Sequence, residues 1–185
     1  LGRRNDPYLY QNIQSFPKKG KLYLTTFGEE TSENGYAVAN IAKPSVPQGF
    51  TDKWSFSSTV KAKDAGTIAY LKGNFRNPMN LHITRDEWKT AECLTDLNRQ
   101  QDGYLWGDVQ MVRWTSYDGT PLKGLLYTPE NLDASRKYPM MIYFYEKNSE
   151  TLYNYIQPAP SRSIINIPFY VSRGYVVFVP DIVYK

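Results

Sequence analysis

The chain has 185 residues and a mass of 21.4 kDa, room for one domain or two incomplete ones at roughly 150 residues per domain. It is 41% hydrophobic, 15% aromatic and 22% charged, which excludes a disordered chain, a collagen-like repeat and a coiled coil. The net charge of +4 selects no class of partner, and the basic and aromatic residues are scattered, so no nucleic-acid partner is expected.

The first half reads as short strands. Twelve Gly and 12 Pro break the chain often, which suits many strands better than a few long helices. Lys21-Leu-Tyr-Leu-Thr-Thr-Phe27 and Gly35-Tyr-Ala-Val-Ala-Asn-Ile41 are rich in aromatic and β-branched residues and bounded by turn formers. A clearer unit follows, with strands predicted over residues 54–60, 66–72, 79–84 and 90–95. Four strands in roughly 40 residues is the size of one β-propeller blade. Residues 1–105 would hold about two blades, fewer than the four or so that close a propeller.

The polar, Gly-punctuated stretch 98–108 is the predicted domain boundary. Beyond it, Val109-Gln-Met-Val-Arg-Trp-Thr-Ser-Tyr117 and Leu122-Lys-Gly-Leu-Leu-Tyr-Thr128 flank Asp118-Gly119, a hairpin-turn signal. Met140-Met-Ile-Tyr-Phe-Tyr145 is apolar throughout and predicts a strand buried on both faces of a parallel sheet. A short helix is predicted over residues 166–173, with Asn166 as N-cap, Pro168 in the first turn and Gly174 as the stop. Tyr175-Val-Val-Phe-Val-Pro180 is a second apolar strand, which completes a βαβ unit. The fold class expected is therefore incomplete β-propeller blades followed by the first strands of an α/β domain. The sequence opens on Leu1-Gly-Arg-Arg without a start Met or signal peptide and stops after two parallel strands, so the expectation is a piece of a longer protein.

Chemistry-bearing residues are few. The single cysteine, Cys93, excludes an internal disulfide and any multi-cysteine zinc site, and its strand setting predicts a packing role. The single histidine, His82, excludes His-rich metal sites, and alternation with Leu81 and Ile83 predicts a solvent-facing strand position. No metal or cofactor is expected. No apolar run approaches the roughly 18 residues of a membrane-spanning helix, so no span is expected in this segment. Ser15-Phe-Pro-Lys18 matches S-x-x-K only by chance, because Pro17 denies it the helical start that chemistry needs. Glu29, Glu30 and Glu33 read as a solvated acidic turn, and Lys18, Lys19 and Lys21 as a solvated hairpin. No G-x-S-x-G elbow, P-loop or dinucleotide motif occurs in the sequence. Tyr145 stands apart, because it ends an apolar strand at the carboxyl edge where open α/β sheets bind ligands. From position it is either a core or rim aromatic, or a phenol able to donate to an oxyanion.

Val112-Arg-Trp-Thr-Ser-Tyr-Asp-Gly-Thr-Pro-Leu-Lys-Gly-Leu-Leu-Tyr-Thr-Pro129, with Lys137-Tyr-Pro-Met-Met-Ile-Tyr-Phe-Tyr145, resembles the prolyl oligopeptidase family of serine peptidases, closest to its dipeptidyl peptidase IV-like and bacterial aminoacyl-peptidase branches. The resemblance runs from about residue 107 to 185 and takes in Gly174-Tyr-Val-Val-Phe-Val-Pro-Asp-Ile182; Asn5-Asp-Pro-Tyr-Leu-Tyr10 and the blade-like first half fit the family's propeller. It implies a propeller part over residues 1–105 and the start of an α/β-hydrolase (peptidase) domain over 106–185. It also implies cleavage of short peptides, often after proline, and a periplasmic or secreted setting. Tyr145 falls on the family's oxyanion-hole tyrosine, and Asp181 on a strand-end Asp read as structural. The family usually has small residues, often Gly, after that tyrosine, whereas Glu146-Lys-Asn148 follow here, a departure that bears on the local backbone path. The family's Ser, Asp and His would all lie beyond Lys185, so the partners implied are a peptide substrate and the remainder of the protein's own chain, and the segment alone would be inactive. Two rivals stand beside this reading: a non-catalytic β-rich binding module with a remnant hydrolase half, and an esterase on the same scaffold.

Overall fold

The computed structural model of the chain describes residues 19–43 and 46–183, so residues 5–10 and the Ser15, Pro17 and Lys18 pattern lie outside the described residues. The strands form three sheets. In the first, β1 (Lys21–Phe27), β2 (Asn34–Asn40) and β3 (Gln48–Asp52) make an antiparallel meander. In the second, β4 (Ser55–Lys61), β5 (Ile68–Gly73), β6 (Asn80–Thr84) and β7 (Glu92–Cys93) repeat that plan in chain order. The strands expected between residues 54 and 95 are thus present, the last cut to two residues. No sequence pattern announces β3, which carries one large apolar side chain, Phe50; it becomes a strand by pairing along β2.

Aromatic rings hold these two sheets together. Tyr36 of β2 stacks on Trp88 at 4.4 Å and meets Phe56 and Tyr70 edge-on at 5.3 and 6.1 Å. Each such pair adds about 0.5–1.5 kcal/mol to the burial of its rings. The same cluster corrects the reading of His82. Asn80, His82 and Thr84 do share a face, but their cross-strand partners Lys72, Tyr70 and Ile68 bring it inward. Thr84 is buried, and the His82 ring stacks on Tyr70 at 5.7 Å. Burial, helped by the Lys72 charge, holds the imidazole pKa below its ordinary value. Alternation says which residues share a face; the partner strand decides whether that face is wet. Cys93 is corrected in the opposite sense, because it lies exposed on the short outer strand β7, its thiol donating to Thr95 O at 3.1 Å.

The third sheet is mixed. β8 (Asp108–Thr115) and β9 (Pro121–Thr128) form the predicted hairpin, with Gly119 at φ +83 and its N–H on Ser116 O at 3.0 Å. β10 (Met140–Ile142) leads through α1 (Ile167–Val171) to β11 (Val176–Pro180), and β10 and β11 pair in parallel. Asn166 caps α1 as expected, its side chain accepting from Phe169 N at 3.0 Å, and Gly174 sits at φ +83 beyond it. The sheet order is β10-β11-β9-β8, so β10 lies at an edge. The expected strand over residues 140–145, buried on both faces, is therefore corrected to three residues covered on one. Met141 and Tyr143 pack on the core, while Met140, Ile142 and Phe144 are exposed, because the single five-residue helix covers little of the sheet.

Two loops join the antiparallel sheets to the mixed one. The turn after β5 drives Phe75 into the core around Leu125, Tyr127 and Val177, where Trp106 Nε1 donates to Phe75 O at 2.5 Å. Arg76 beside it pairs with Asp108 at 2.8 Å and with Glu130. Tyr127 is so deeply buried here that its phenol pKa is pushed up to about 12. The loop over residues 28–33 makes the second join, described below. Gly107, at φ +86, lies against Thr128 O and Val171, where any side chain would collide. The architecture is nearly all-β, two antiparallel meanders of blade type beside a mixed sheet, with little helix.

Candidate active site

Tyr145 leaves β10 at its carboxyl end. Tyr143 N extends the ladder by one bond, to Phe178 O at 3.0 Å, and then the chain turns away from the sheet. Glu146 makes that turn in the left-handed region, at φ +52, a conformation that favours glycine and strains a glutamate. The departure from small residues noted in the sequence thus leaves the backbone turning sharply after the tyrosine. Tyr145 is 68% exposed.

Asp181 holds the turn in place. Its carboxylate accepts from Asn148 N at 2.7 Å, from Ser149 N at 2.8 Å and from Ser149 Oγ at 2.6 Å. Ile182 N donates to Glu146 O at 2.8 Å, and Asn148 Nδ2 reaches back to Tyr145 O at 2.6 Å. A buried carboxylate taken up by three donors is a structural clamp. This agrees with the structural reading of Asp181. The Tyr145 hydroxyl, on an exposed residue, can donate a hydrogen bond outward.

The other sequence candidates do not gather around Tyr145. His82 is half-buried in the second sheet, its ring stacked on Tyr70. The Glu29 and Glu30 side chains are exposed, and Glu33 Oε2 accepts from Thr51 Oγ1 at 3.0 Å. Lys21 pairs with Glu87 at 2.5 Å. Among the described residues no group of three or more His, Cys, Asp or Glu is placed to hold a metal ion, and no helix is long and apolar enough to cross a membrane. An open groove of about 1130 Å³ is walled by Trp106, Tyr143, Phe169, Tyr170 and the loop before α1, and neither Tyr145 nor Asp181 lines it. Ser149 and Ser32 were invisible in the sequence, because neither belongs to a motif and their bond spans 117 positions.

No protein-family model matches the sequence, and no curated protein matches it either. Solved structures do. A dipeptidyl peptidase 4 from Porphyromonas gingivalis matches at 14% identity and TM-score 0.63, over 88% of this chain and 23% of that one. An acylaminoacyl peptidase from Pyrococcus horikoshii matches at 18% identity and TM-score 0.60, over 88% and 23%. A prolyl endopeptidase structure matches at 17% identity and TM-score 0.56, over 91% and 25%. The likeness is one of fold. The chain is built like a segment of these peptidases and spans about a quarter of their length. The resemblance read from the sequence is thereby met at the level of architecture.

Proposed function

We propose that this chain is part of a serine peptidase of the prolyl oligopeptidase kind, with a propeller part over residues 1–105 and the start of the hydrolase domain over 106–185. The observation that carries the reading is the Tyr145 phenol, presented to solvent at the carboxyl end of a parallel strand on backbone clamped by Asp181, in a peptidase-like fold. The substrate class is a short peptide, and the setting periplasmic or secreted.

In the proposed reaction a serine Oγ from elsewhere in the parent chain attacks the scissile carbonyl carbon, and a base takes the serine proton. The carbonyl π electrons move onto oxygen. Tyr145 Oη–H donates to that oxyanion, together with a backbone N–H beside the serine. Collapse of the tetrahedral intermediate re-forms the carbonyl, breaks the C–N bond and returns the proton to the leaving amine. The phenol stays protonated throughout, so it stabilises charge that develops in the transition state.

The test is active-site labelling of the protein that contains this segment with a fluorophosphonate, followed by assays on proline-containing peptides and on simple esters. Labelling that abolishes peptide hydrolysis is the expected result. Ester turnover without peptide turnover would make it an esterase, and neither labelling nor turnover would make it a binding module.

A further inference from the structure

We infer that Ser32, on the loop between β1 and β2, is a positioning residue for Tyr145, acting through the buried chain Ser32–Ser149–Asp181. The catalytic meaning of this inference rests on the function proposed above, whereas its structural half can be judged without it.

The loop over residues 28–33 has the composition of a solvated turn, and the Glu29 and Glu30 side chains do face water. Its backbone faces the other way. Glu29 O accepts from Lys123 Nζ at 3.0 Å, Glu30 O accepts from the Arg113 guanidinium, and Ser32 Oγ donates to Ser149 O at 2.9 Å. Lys123 and Arg113 belong to the β8–β9 hairpin and Ser149 to a short 3-10 turn after β10, so two bonds from this loop reach the mixed sheet and the third reaches the turn that follows its edge strand. The loop is closed internally by Ser32 N on Gly28 O at 2.7 Å and Gly28 N on Glu33 O at 2.9 Å. It therefore presents the Ser32 hydroxyl from a fixed frame.

Ser32 and Ser149 have 0% and 1% exposure, so no water competes for their bond. Ser32 sits at φ +56, a conformation uncommon for a residue with a side chain and kept only where the surroundings over-determine it. Ser149 O is shared with Leu152 N at 3.3 Å, the weaker contact by length. From Ser149 the chain of bonds runs without a gap to the tyrosine. Ser149 N and Oγ and Asn148 N are on Asp181, and Asn148 Nδ2 is on Tyr145 O. A displacement of Ser149 must be passed to Asn148 and then to the Tyr145 carbonyl. The phenol, itself exposed, takes its direction from that backbone.

Oxyanion stabilisation is a demanding use of such a chain. Donor groups work when held within about 0.5 Å of the productive geometry, and an error of about 1 Å can cost on the order of 100-fold in rate. A blade loop that reaches the turn after the tyrosine ties the attitude of that donor to the sheet across the joint.

Two measurements test this. In the protein that contains this segment, 3-fluorotyrosine replaces Tyr145 and its ¹⁹F resonance is followed. Ser32→Ala is expected to shift and broaden the signal. Ser32→Gly, which relieves the positive φ but also lacks the hydroxyl, should do the same, and Glu29→Gln should leave the signal in place. If both Ser32 variants keep the blades folded, by the fluorescence of Trp88, and the resonance does not move, the inference is overturned. In the peptidase that carries the segment, Ser32→Ala should lower kcat about tenfold with KM unchanged. Combined with Tyr145→Phe it should cost no more than Tyr145→Phe alone. Multiplied losses would overturn a role through Tyr145. If Tyr145→Phe by itself leaves acylation unchanged, the proposed function falls, and the fluorine measurement alone decides whether the clasp exists.

Discussion

The two parts of the chain bury their apolar side chains in different ways. Between the antiparallel sheets the core is a closed stack of rings, Tyr36, Phe56, Tyr70, Trp88 and the His82 imidazole, each meeting another at a defined angle. In the mixed sheet the core is mostly aliphatic, around Leu125, Val177 and Val179, and it lies on one side only. The edge strand β10 leaves Met140, Ile142 and Phe144 open on its other side. Similar apolar strand sequences are thus enclosed in one region and half-covered in the other. What differs is the supply of covering elements: the two antiparallel sheets share a ring cluster, while the mixed sheet is covered on one side by a five-residue α-helix, a 3-10 turn and loop residues such as Phe75, Trp106 and Leu152.

The largest expected effect breaks the joint between the two regions. Trp106→Ala removes an indole packed on Tyr155 and bonded to Phe75 O, and should cost about 3–5 kcal/mol in urea denaturation. It should also separate the near-UV signal of the antiparallel sheets from that of the mixed sheet, where a single shared transition is expected for the unaltered chain. A single transition in the variant, shifted by less than about 1 kcal/mol, would mean that the loop over residues 28–33 holds the regions together without the indole.

Next comes the aliphatic core. Leu125 is fully buried, so Leu125→Ala should cost about 2–5 kcal/mol. Ile142→Ala on the same sheet should cost well under 1 kcal/mol, since Ile142 is 60% exposed. Equal costs would show that the open side of β10 is covered. The stripe should reveal itself in association instead. Light scattering of the 185-residue chain is expected to rise with concentration, and Ile142→Lys to suppress the rise. A monodisperse chain insensitive to that change would contradict the one-sided sheet.

The smallest effect concerns His82 in the ring stack. Its folded-state pKa is lowered, so the unfolded chain binds this proton more readily. Stability from this group is fully present above the unfolded value of about 6.5 and declines as pH falls through it. The melting temperature should therefore drop between pH 7.5 and 5.5, and His82→Gln should flatten that slope. An unchanged slope would place the titration elsewhere.

Features set by neighbours in sequence were legible. The Asn166 cap, Pro168 and Gly174 define α1 within nine residues, and Asp118-Gly119 defines the β8–β9 hairpin, because each rests on local backbone preferences. The apolar runs at β10 and β11 were legible as strands, as was their parallel pairing. Coverage was not. Nothing in Met140-Met-Ile-Tyr-Phe-Tyr145 states that its strand lies at an edge, and nothing in Asn80-Leu-His-Ile-Thr84 states that Tyr70 will pull the polar-looking face inward. The candidate site divides in the same way. Tyr145 and Asp181 could be picked out by position and resemblance, but the Asp181 clamp and the Ser32 contact depend on segments brought together only by folding.

The central claim is that the Tyr145 phenol donates to an oxyanion, and the acylation rate of a Tyr145→Phe variant tests it most directly. Phenylalanine preserves the ring and removes only the hydroxyl, at a position exposed enough that stability should hold. Measured in single turnover on the protein that contains this segment, acylation should slow by about 10²–10³, with substrate binding little changed. An acylation rate equal to that of the unaltered protein would contradict the account.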